Sequence, residues 1–294
     1  MTILLTGATG FLGSHITKSL LSDGHRVIVL KRRVSDLSRL LGFKSDLVFC
    51  DIDSLNLSDL FTENGHIDSI IHMATCYGRS GESPTQVFQA NTLFPLSLLE
   101  AAKFFNTDTF FNTDTILYPN LSSYALSKKQ FADWGYQLAL DEGIRFINVR
   151  LEHLYGPGDD VSKFTTWVVN SCLNNVPEIN LTAGEQRRDF IYIADAVMAF
   201  STLLKESNNL GLGFQNIGLG SGEDISVRTF VEIVHRLTAS SSKLIFGALP
   251  YRDYEIMKSS ADTKRMEALG WKCLTGLEKG LTKMIEQERE RRII

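Results

Sequence analysis

One loop near the N-terminus reads Thr6-Gly7-Ala8-Thr9-Gly10-Phe11-Leu12-Gly13, and it joins a short apolar run to a helical pattern. A pyrophosphate group needs backbone N–H donors at close range and a helix N-terminus behind them. Glycines allow that approach because they lack the Cβ atoms that would hold the group away. The loop therefore predicts a dinucleotide-binding turn formed by Gly7, Thr9, Gly10, Phe11, Leu12 and Gly13. The alternative is a glycine-rich turn that binds no ligand.

The rest of the first half alternates short apolar runs with helical patterns, which is typical of a parallel sheet covered on both faces. The predicted strands are Ile3–Leu5, Val27–Leu30, Leu47–Cys50, Ser69–His72, Thr109–Asn112 and Phe146–Val149. The predicted helices begin near Phe11, Ser58, Thr85 and Ser122. We therefore predict an α/β fold, a Rossmann-type doubly wound parallel sheet with a smaller C-terminal α/β domain that binds substrate.

The second half has a different pattern. After Gly156-Pro157-Gly158 the connections become longer and irregular, which indicates a second domain. A strand–helix unit at Asp189–Lys205 is interpreted as a return to the first domain. Further helices are predicted at Val227–Leu237, Thr263–Leu269 and Leu277–Arg291. The predicted dinucleotide-binding domain comprises residues 1–155 and 188–217, and the smaller domain comprises residues 156–187 and 218–294.

The composition excludes several classes of protein. With 294 residues, 44% hydrophobic and 22% charged, the chain is ordinary for a globular protein with a large core. Its net charge of −4 gives no reason to expect nucleic acid or an anionic membrane as a partner. We expect no membrane span and no secretory signal, because no apolar stretch is long enough and the N-terminus lacks a basic region. Scattered cysteines without metal-ligand spacing predict no metal site and a cytoplasmic location.

The end of the second predicted strand indicates which cofactor the loop binds. A site specific for NAD usually has an acidic residue there to bind the ribose hydroxyls, whereas this chain has Lys31, Arg32 and Arg33. Three cations suit a 2′-phosphate, which arginine can bind bidentately, so the turn predicts NADPH (NADP) rather than NAD. A solvated basic turn is the alternative. Asp51 and Ile52, after the third predicted strand, are placed to contact the adenine.

A tyrosine and a lysine lie four residues apart in Tyr124-Ala125-Leu126-Ser127-Lys128. That spacing places both side chains on one face of a helix. There the lysine ammonium can lower the pKa of the tyrosine phenol by stabilising its anion. Such a phenol can pass a proton to or from a carbinol or carbonyl oxygen. Alone, the pair is equally compatible with chance on an amphipathic helix.

Five motifs stand in order along the chain. They are Thr6–Gly13, Ile71-His72-Met73-Ala74, Tyr124/Lys128, residues 150–157 (Arg-Leu-Glu-His-Leu-Tyr-Gly-Pro) and residues 188–193 (Arg-Asp-Phe-Ile-Tyr-Ile). This set resembles the extended short-chain dehydrogenase/reductase family of nucleotide-sugar epimerases, dehydratases and reductases, over nearly the whole chain. Residues 111–114, 150–163, 184–189 and 251–257 look most like the CDP-abequose and CDP-paratose synthases. Those enzymes are 4-ketoreductases of a CDP-4-keto-3,6-dideoxyhexose.

The resemblance implies catalytic and cofactor residues. Thr113 takes the Ser/Thr place of a triad with Tyr124 and Lys128. Its hydroxyl would bond the sugar oxygen O4 while Tyr124 exchanges a proton with it. Lys128 would hold the nicotinamide ribose, and Met73 and Ala74 belong to the cofactor site. Thr113 could instead be a strand-end hydroxyl that satisfies backbone groups.

The resemblance also implies residues that bind a nucleotide-sugar substrate. Arg188 and Arg252 match positions that bind the nucleotide diphosphate through charge-assisted hydrogen bonds. Each could instead form a surface ion pair, and the neighbouring Arg187 could share the role of Arg188. His153 stands in Glu152-His153, where the wider family commonly has Phe-Asn. It is either an additional acid or base at the substrate site or a hydrogen-bonded structural residue.

Three reactions share this scaffold. A 4,6-dehydratase needs Asp-Glu after the catalytic threonine, whereas this chain has Asp114-Thr115, and we assign Asp114 to the substrate site. A 4-epimerase regenerates its cofactor and normally retains NAD, whereas a net reductase consumes NADPH, so the basic turn favours reduction. A dinucleotide-binding sensor without turnover is a further alternative, but such proteins typically lose the tyrosine or the lysine.

We therefore expect an NADPH-dependent reductase of a CDP- or dTDP-linked 4-keto-6-deoxyhexose or 4-keto-3,6-dideoxyhexose, which serves lipopolysaccharide O-antigen or another surface glycan. Only ten residues separate Thr113 from Tyr124, which is short for the family and affects one wall of the sugar pocket. Asn91 is expected to bond backbone near the active site. A homodimer through the helices beginning near Thr85 and Ser122 is expected from the family.

Overall fold

The computed structural model describes residues 1–54, 56–141 and 143–292. None of the helices within these ranges is both long and apolar enough to cross a membrane. The strands are β1 Thr2–Thr6, β2 Arg26–Lys31, β3 Leu47–Asp51, β4 Ser69–His72, β5 Thr109–Thr115, β6 Arg145–Leu151, β7 His153–Tyr155, β8 Glu178–Leu181, β9 Arg187–Tyr192, β10 Gly213–Leu219, β11 Asp224–Ser226 and β12 Lys243–Phe246. The α-helices are α1 Phe11–Ser22, α2 Leu57–Asn64, α3 Pro84–Phe88, α4 Phe94–Phe104, α5 Ser123–Leu138, α6 Phe164–Leu173, α7 Ile193–Lys205, α8 Val227–Thr238, α9 Lys264–Ala268 and α10 Leu277–Glu290.

The chain forms two compact units. The first comprises Met1–Leu151 and Val197–Ile217, and the second comprises Glu152–Ala196 and Gly218–Ile294. Of the predicted smaller domain, residues 293 and 294 lie outside the described part. The predicted division differs from this one mainly at residues 188–196, which belong to the second unit and not to the first.

A seven-stranded sheet in the order β10-β6-β5-β4-β1-β2-β3 is the centre of the first unit. In this spatial order, each neighbouring pair of strands between β6 and the edge strand β3 is parallel. The order reverses at β1, which pairs with both β2 and β4, and ligands of such sheets bind beyond the carboxyl ends of the strands at this switch point. The predicted Rossmann-type fold is confirmed, and all six predicted strands are present.

One segment lies in a different sheet from the one expected. The sequence predicts that Asp189–Lys205 returns to the large sheet, but its strand, β9, lies in a three-stranded sheet in the order β11-β9-β7. The chain rejoins the large sheet at β10, as an edge strand beside β6. An edge strand needs less apolar surface than an inner strand, so Gly213–Leu219 lacks the continuous apolar run that identifies the other six.

Aromatic rings hold α5 against the sheet. Phe110 and Phe146 stack with ring centroids 5.5 Å apart, and Phe131 of α5 meets both rings near edge-on. Gly135 of α5 lies so close to Phe146 that a Cβ on Gly135 would be 2.2 Å from the ring. The helix therefore lies directly on the sheet at Gly135.

The second unit is built on β11-β9-β7 and a parallel pair of β8 and β12. Asp189 of β9 is fully buried, and its carboxylate accepts hydrogen bonds from Ser221 N and Oγ at 2.7 Å, Gly222 N at 2.9 Å and Ala261 N at 3.1 Å. A buried carboxylate with this many donors is satisfied. Asp189 therefore joins two loops of the second unit to β9.

Candidate active site

The glycine loop leads from β1 into α1 with its backbone tightly packed. Gly7 has φ +72°, which favours glycine, and a Cβ there would lie 2.5 Å from Ala74 N. A Cβ at Gly13 would lie 2.1 Å from the Gly7 carbonyl oxygen. The helix begins after Gly10 without a side-chain cap, so its first N–H groups are not covered by a capping side chain. This geometry fits the backbone approach that a dinucleotide pyrophosphate requires.

Thr6 ties the end of β1 to the end of β4. Its Oγ1 accepts hydrogen bonds from Met73 N and Ala74 N, each at 3.1 Å, and lies 2.8 Å from His72 Nδ1. Burial lowers the pKa of His72 well below its usual value, so the ring is neutral. The structure thus brings Met73 and Ala74 to the glycine loop. Thr6 and His72 support this arrangement, although in sequence they look like ordinary strand-end residues.

The basic turn after β2 is only partly available to a ligand. Lys31 Nζ forms an ion pair with the Asp51 carboxylate, and Ile52 N donates to the Lys31 carbonyl oxygen at 2.8 Å. The side chains of Arg32 and Arg33 are exposed. Of the three cations that the sequence assigns to a 2′-phosphate, Lys31 is therefore already neutralised by Asp51, because their strands are adjacent. Arg32 and Arg33 remain as the candidates.

Tyr124 and Lys128 lie in the first turns of α5, as predicted. Ser122 caps this helix by accepting from Ala125 N at 3.1 Å. Lys128 is 2% exposed, and its Nζ has no hydrogen-bond partner among the described residues. Burial lowers the pKa of Lys128 to about 8, while the negative charge of Asp114 opposes that shift. A buried ammonium without a partner is the atom expected where a cofactor ribose binds.

The pKa of Tyr124 is shifted in the direction opposite to the prediction. Burial raises the pKa of the phenol above its usual value, and the nearby Tyr77, whose ring centroid is 4.9 Å away, adds to the rise. The loss of hydration outweighs the lowering expected from Lys128. The Thr115 side chain acts against the rise in the pKa of Tyr124. The phenol therefore keeps its proton at neutral pH, which suits a proton donor.

Two threonines of β5 have distinct contacts. Thr113 Oγ1 donates to the His72 carbonyl oxygen at 3.1 Å, a backbone contact of the kind given as the alternative, and its catalytic role stays a prediction. Thr115 Oγ1 accepts from Leu117 N at 3.2 Å, and its side chain acts on the pKa of the Tyr124 phenol. Because side chains alternate along a strand, both threonines project from the same face.

Asp114 does not face a ligand. Its side chain is 1% exposed, and its Oδ2 accepts from Lys129 Nζ at 2.8 Å and from Asn148 Nδ2 at 3.1 Å. Its Oδ1 accepts from Thr115 N at 2.7 Å. The expectation that Asp114 binds substrate is therefore corrected, because protein donors engage both of its oxygens on the face of β5 opposite Thr113 and Thr115.

Asn91 confirms its predicted role of bonding backbone. It lies in a π-helical turn, Gln89–Leu93, between α3 and α4. Its Oδ1 accepts from Cys76 N at 2.7 Å, and its Nδ2 donates to the Cys76 carbonyl at 2.8 Å and to Ser127 Oγ at 3.0 Å. Thr92 Oγ1 donates to the Ser127 carbonyl at 3.0 Å. Single π turns are frequent at functional sites, and this one fixes α5 between Tyr124 and Lys128.

In the second unit, Arg188 and Arg252 meet at one carboxylate. Arg188 is 6% exposed and forms an ion pair with Glu255, while Arg252 Nε donates to the other oxygen of Glu255 at 3.0 Å. Burial lowers the pKa of the Arg188 guanidinium, and Glu255 opposes that shift. Arg187 instead pairs with Asp224 at the surface. The structure therefore brings the two predicted arginines together and separates Arg187 from them.

His153 also lies in the second unit, on β7. Its Nδ1 is 3.7 Å from Glu152 Oε2, beyond hydrogen-bond length, and has no hydrogen-bond partner among the described residues. Glu152 Oε2 accepts instead from Ser259 Oγ at 2.9 Å. The ring of His153 packs against Phe190 at 5.7 Å. His153 therefore does not have the hydrogen-bonded structural role that was one of its two predicted roles.

Comparison with known proteins places the chain among enzymes. A family model described as the NAD dependent epimerase/dehydratase family matches residues 3–218. The CDP-abequose synthase of Salmonella muenchen is 36% identical over 294 residues, which cover 97% of each chain. The chain belongs to the NAD dependent epimerase/dehydratase family. The CDP-abequose synthase of Salmonella typhimurium, at 33% identity over 97% of each chain, agrees with this membership.

Membership in the NAD dependent epimerase/dehydratase family confirms the resemblance seen in the motifs. It makes the chain an enzyme that modifies a nucleotide sugar and uses a nicotinamide dinucleotide. Among solved structures, UDP-glucuronic acid 4-epimerase from Bacillus cereus, in complex with UDP-glucuronic acid and NAD, matches with a TM-score of 0.85. The match covers 99% of this chain and 100% of that chain at 23% identity, which supports the fold.

Proposed function

We propose that this enzyme uses NADPH to reduce the 4-keto group of a CDP- or dTDP-linked 4-keto-6-deoxyhexose or 4-keto-3,6-dideoxyhexose. The observation that carries the proposal is 36% identity with a CDP-abequose synthase across 97% of both chains. The product would supply surface polysaccharide such as O-antigen. Because the reaction consumes NADPH, we place it in the cytoplasm, where that cofactor is regenerated.

The proposed reaction assigns separate roles to three side chains. The bound nicotinamide supplies a hydride for the sugar C4. Tyr124 donates its phenolic proton to the alkoxide that develops at O4, and the raised pKa keeps that proton in place beforehand. The Thr113 hydroxyl is proposed to bond the sugar oxygen O4 while Tyr124 gives up this proton. Lys128 holds the cofactor ribose and adds a positive charge on the same helix.

Arg188 and Arg252 are proposed to bind the nucleotide diphosphate. Both guanidiniums already converge on one carboxylate, Glu255, so they are spaced to share a single anion. Binding the diphosphate would exchange one or more of these contacts for phosphate oxygens. Hydrogen bonds between charged groups are worth about 1.5–3 kcal/mol each, so two arginines supply a substantial part of the affinity. His153 is proposed as a further contact with the substrate.

The cofactor proposal depends on Arg32 and Arg33, with Asp51 and Ile52 near the adenine. Replacing both arginines with alanine should raise the Kd for NADPH by about tenfold or more, because each removes charge-assisted hydrogen bonds to the 2′-phosphate. The Kd for NADH, which lacks that phosphate, should change little. Titration by fluorescence of the reduced nicotinamide measures both values.

The matched control for this pair is Arg26→Ala. Arg26 lies at the opposite end of β2, where its guanidinium donates to the Asn64 carbonyl and side-chain oxygens at 3.0 Å each. This variant should bind NADPH and NADH as the wild type does. An equal loss of both cofactors in the Arg32→Ala/Arg33→Ala variant would remove the case for a 2′-phosphate site.

A 4-epimerase that retains NAD is the second candidate. The ion pair between Lys31 and Asp51 favours it, because that pair removes one cation from the turn and places a carboxylate beside the end of β2. The solved epimerase from Bacillus cereus holds NAD. A sensor without turnover has less support, because Tyr124 and Lys128 are both present on α5.

One incubation separates these candidates. The purified enzyme is mixed with CDP-linked or dTDP-linked 4-keto sugars and NADPH, and the absorbance of the reduced nicotinamide is followed. Stoichiometric loss of NADPH with one 4-hydroxy product, identified by NMR, is the expected result. Interconversion of two 4-epimers without net consumption of cofactor would identify an epimerase, and no reaction with any substrate would favour the sensor.

A homodimer is proposed for the assembled enzyme, as the family resemblance implies. The helices expected to form the contact expose large apolar side chains, including Leu93 beside α4 and Leu126 and Trp134 on α5, which are 48%, 45% and 48% exposed. Packing these helices against those of a second copy would bury these side chains.

A further inference from the structure

Tyr77 is a large aromatic residue that lies beside the proposed proton donor. Its ring centroid is 4.9 Å from that of Tyr124, and the two ring planes meet at 42°. The guanidinium carbon of Arg79 lies 5.0 Å from the ring centroid of Tyr77. Despite these two contacts, Tyr77 is 41% exposed. An exposed aromatic side chain needs no explanation by itself, but any group that receives the Tyr124 proton must come close to this ring.

The residues on both sides of Tyr77 are fixed. Asn91 Oδ1 accepts from Cys76 N at 2.7 Å, and Asn91 Nδ2 donates to the Cys76 carbonyl oxygen at 2.8 Å. On the other side, Gly78 has φ +67°, and a Cβ at Gly78 would lie 3.2 Å from Val87 Cγ2 on α3. The ring of Tyr77 therefore has a set position next to the phenol of the proposed acid. A ring that is placed in advance costs little conformational entropy when a ligand packs against it.

The proposed reaction places the sugar atoms around C4 near this ring. Tyr124 is proposed to donate its proton to O4, so O4 lies against the phenol and C4 is one bond further away. C5 is bonded to C4 and carries C6, so the substituent at C6 is close to the reacting atoms. Both proposed substrates have a methyl group at C6 and differ from each other only at C3. The C6 methyl is therefore the group that the site must accept in either case.

The chemistry of an aromatic ring matches a methyl group better than a hydroxyl. The face of the ring is apolar, so a methyl group packed against it leaves water favourably and gains close contacts. A hydroxyl in the same place loses its hydration, and the ring face offers it no ordinary hydrogen-bond partner. A fixed aromatic ring beside the reacting atoms therefore favours a 6-deoxy sugar over the same sugar with a hydroxyl at C6.

We propose that Tyr77 is a specificity-determining residue, whose ring forms an apolar wall that accepts the C6 methyl group and disfavours a 6-hydroxyl. The proposal rests on the proposed reduction and deepens it, because it names the residue that selects a deoxygenated sugar. Tyr77 acts on the binding of the sugar, whereas Tyr124 and Lys128 serve the chemical step. Replacing the ring of Tyr77 should therefore change which sugars bind.

The test measures the binding of sugars that differ only at C6. Pairs of CDP- and dTDP-linked hexoses, in both C4 configurations, differ within each pair only by the 6-hydroxyl. They are titrated by calorimetry into the enzyme saturated with NADPH or NADH, because a 4-hydroxy sugar cannot react with a reduced nicotinamide. The wild type should bind the 6-deoxy sugar about tenfold more tightly, and in Tyr77→Ser the two Kd values should lie within about threefold. Tyr77→Phe keeps the ring and should retain the wild-type preference.

Tyr136→Ser is the matched control. Tyr136 is 52% exposed, and its ring also packs against an aromatic ring, that of Phe214, with centroids 5.5 Å apart. This variant should keep the preference for the 6-deoxy sugar. The inference is overturned if the wild type has no such preference, if Tyr77→Ser retains it, or if Tyr77→Phe or Tyr136→Ser loses it.

The binding measurement involves no turnover, so it fails or succeeds separately from the proposed reduction. Loss of the preference in Tyr77→Ser, with no consumption of NADPH by the wild type on any 4-keto sugar, would support the wall and contradict the reduction. Consumption of NADPH together with an unchanged preference in Tyr77→Ser would support the reduction and overturn the wall. If none of the nucleotide sugars binds, both are overturned.

Discussion

Replacing Tyr124 with phenylalanine is expected to lower kcat for the ketosugar by about 10²–10⁴-fold, the usual contribution of a positioned general acid. Phenylalanine keeps the ring and its contact with Tyr77, whose centroid is 4.9 Å away, but has no proton to give the developing alkoxide. The Kd for NADPH should stay within about threefold, because the phenol is proposed to act on the sugar oxygen. Single-turnover kinetics and cofactor titration measure the two quantities separately.

Tyr136→Phe is the control for this change. Tyr136 lies on the same helix, is 52% exposed and packs its ring against Phe214 at 5.5 Å. The same loss of a hydroxyl there should leave kcat unaltered. Turnover near the wild-type rate in Tyr124→Phe would exclude Tyr124 as the acid and shift attention to the neighbouring phenol of Tyr77.

Most strands of the first unit were predictable from the sequence, and the physical reason is that they are buried on both faces. Inner parallel strands are buried on both faces, so Ile3–Leu5 and Val27–Leu30 stand out as apolar runs. The glycine loop marks the point where the first strand ends and the first helix begins. Strand β10 lies at the edge and lacks that signal. Strand β9 has an apolar run, but a run does not specify which sheet it joins, and β9 pairs with β7 and β11.

The shared helix face of the proposed catalytic pair followed from helical spacing, whereas the surroundings of the pair did not. Tyr124 and Lys128 are one helical turn apart whatever else the protein does, so their shared face is a local property. The pKa of Tyr124 depends on burial, which is set by packing that local spacing does not report. Local reasoning therefore identified the residue proposed as the proton donor but gave the wrong direction for its pKa shift.

The two threonines of β5 show a second limit of local reasoning. Both satisfy the alternation of the strand, and only their contacts distinguish them: the His72 carbonyl for Thr113 and Leu117 N for Thr115. The same limit applies to Asp114, because its partners Lys129 and Asn148 are 15 and 34 residues away in the chain and local spacing cannot reveal them. A polar residue after a threonine looks functional until those partners are known.

Replacing Lys128 with methionine is expected to separate activity from stability. The reduction should slow by about 10²-fold or more, because the variant lacks the charge beside the reacting groups. The variant should nevertheless be more stable than the wild type at neutral pH, since Lys128 is 2% exposed and lacks a hydrogen-bond partner among the described residues. Methionine fills a similar volume without the cost of desolvating an ammonium.

The sign of the pH dependence follows from the lowered pKa of Lys128, about 8 against the ordinary lysine pKa of 10.5. Between these values the unfolded chain binds more protons than the folded one, so the stability of the wild type rises as the pH increases through this window. Below about pH 8 the full penalty applies, on the order of 3 kcal/mol for a shift of this size. The advantage of Lys128→Met should therefore be largest at neutral pH and shrink towards pH 10.5.

Chemical unfolding of both proteins at neutral and alkaline pH measures this difference, with Lys205→Met as the control at an exposed helical lysine. The control should show no stability gain that changes with pH, because its ammonium stays hydrated in both states. If Lys128→Met were less stable than the wild type at neutral pH, the ammonium would have a stabilising partner in the folded protein. Lys128 could then not be the unpaired cation proposed to hold the cofactor ribose, and the loss of activity would reflect damage to the fold.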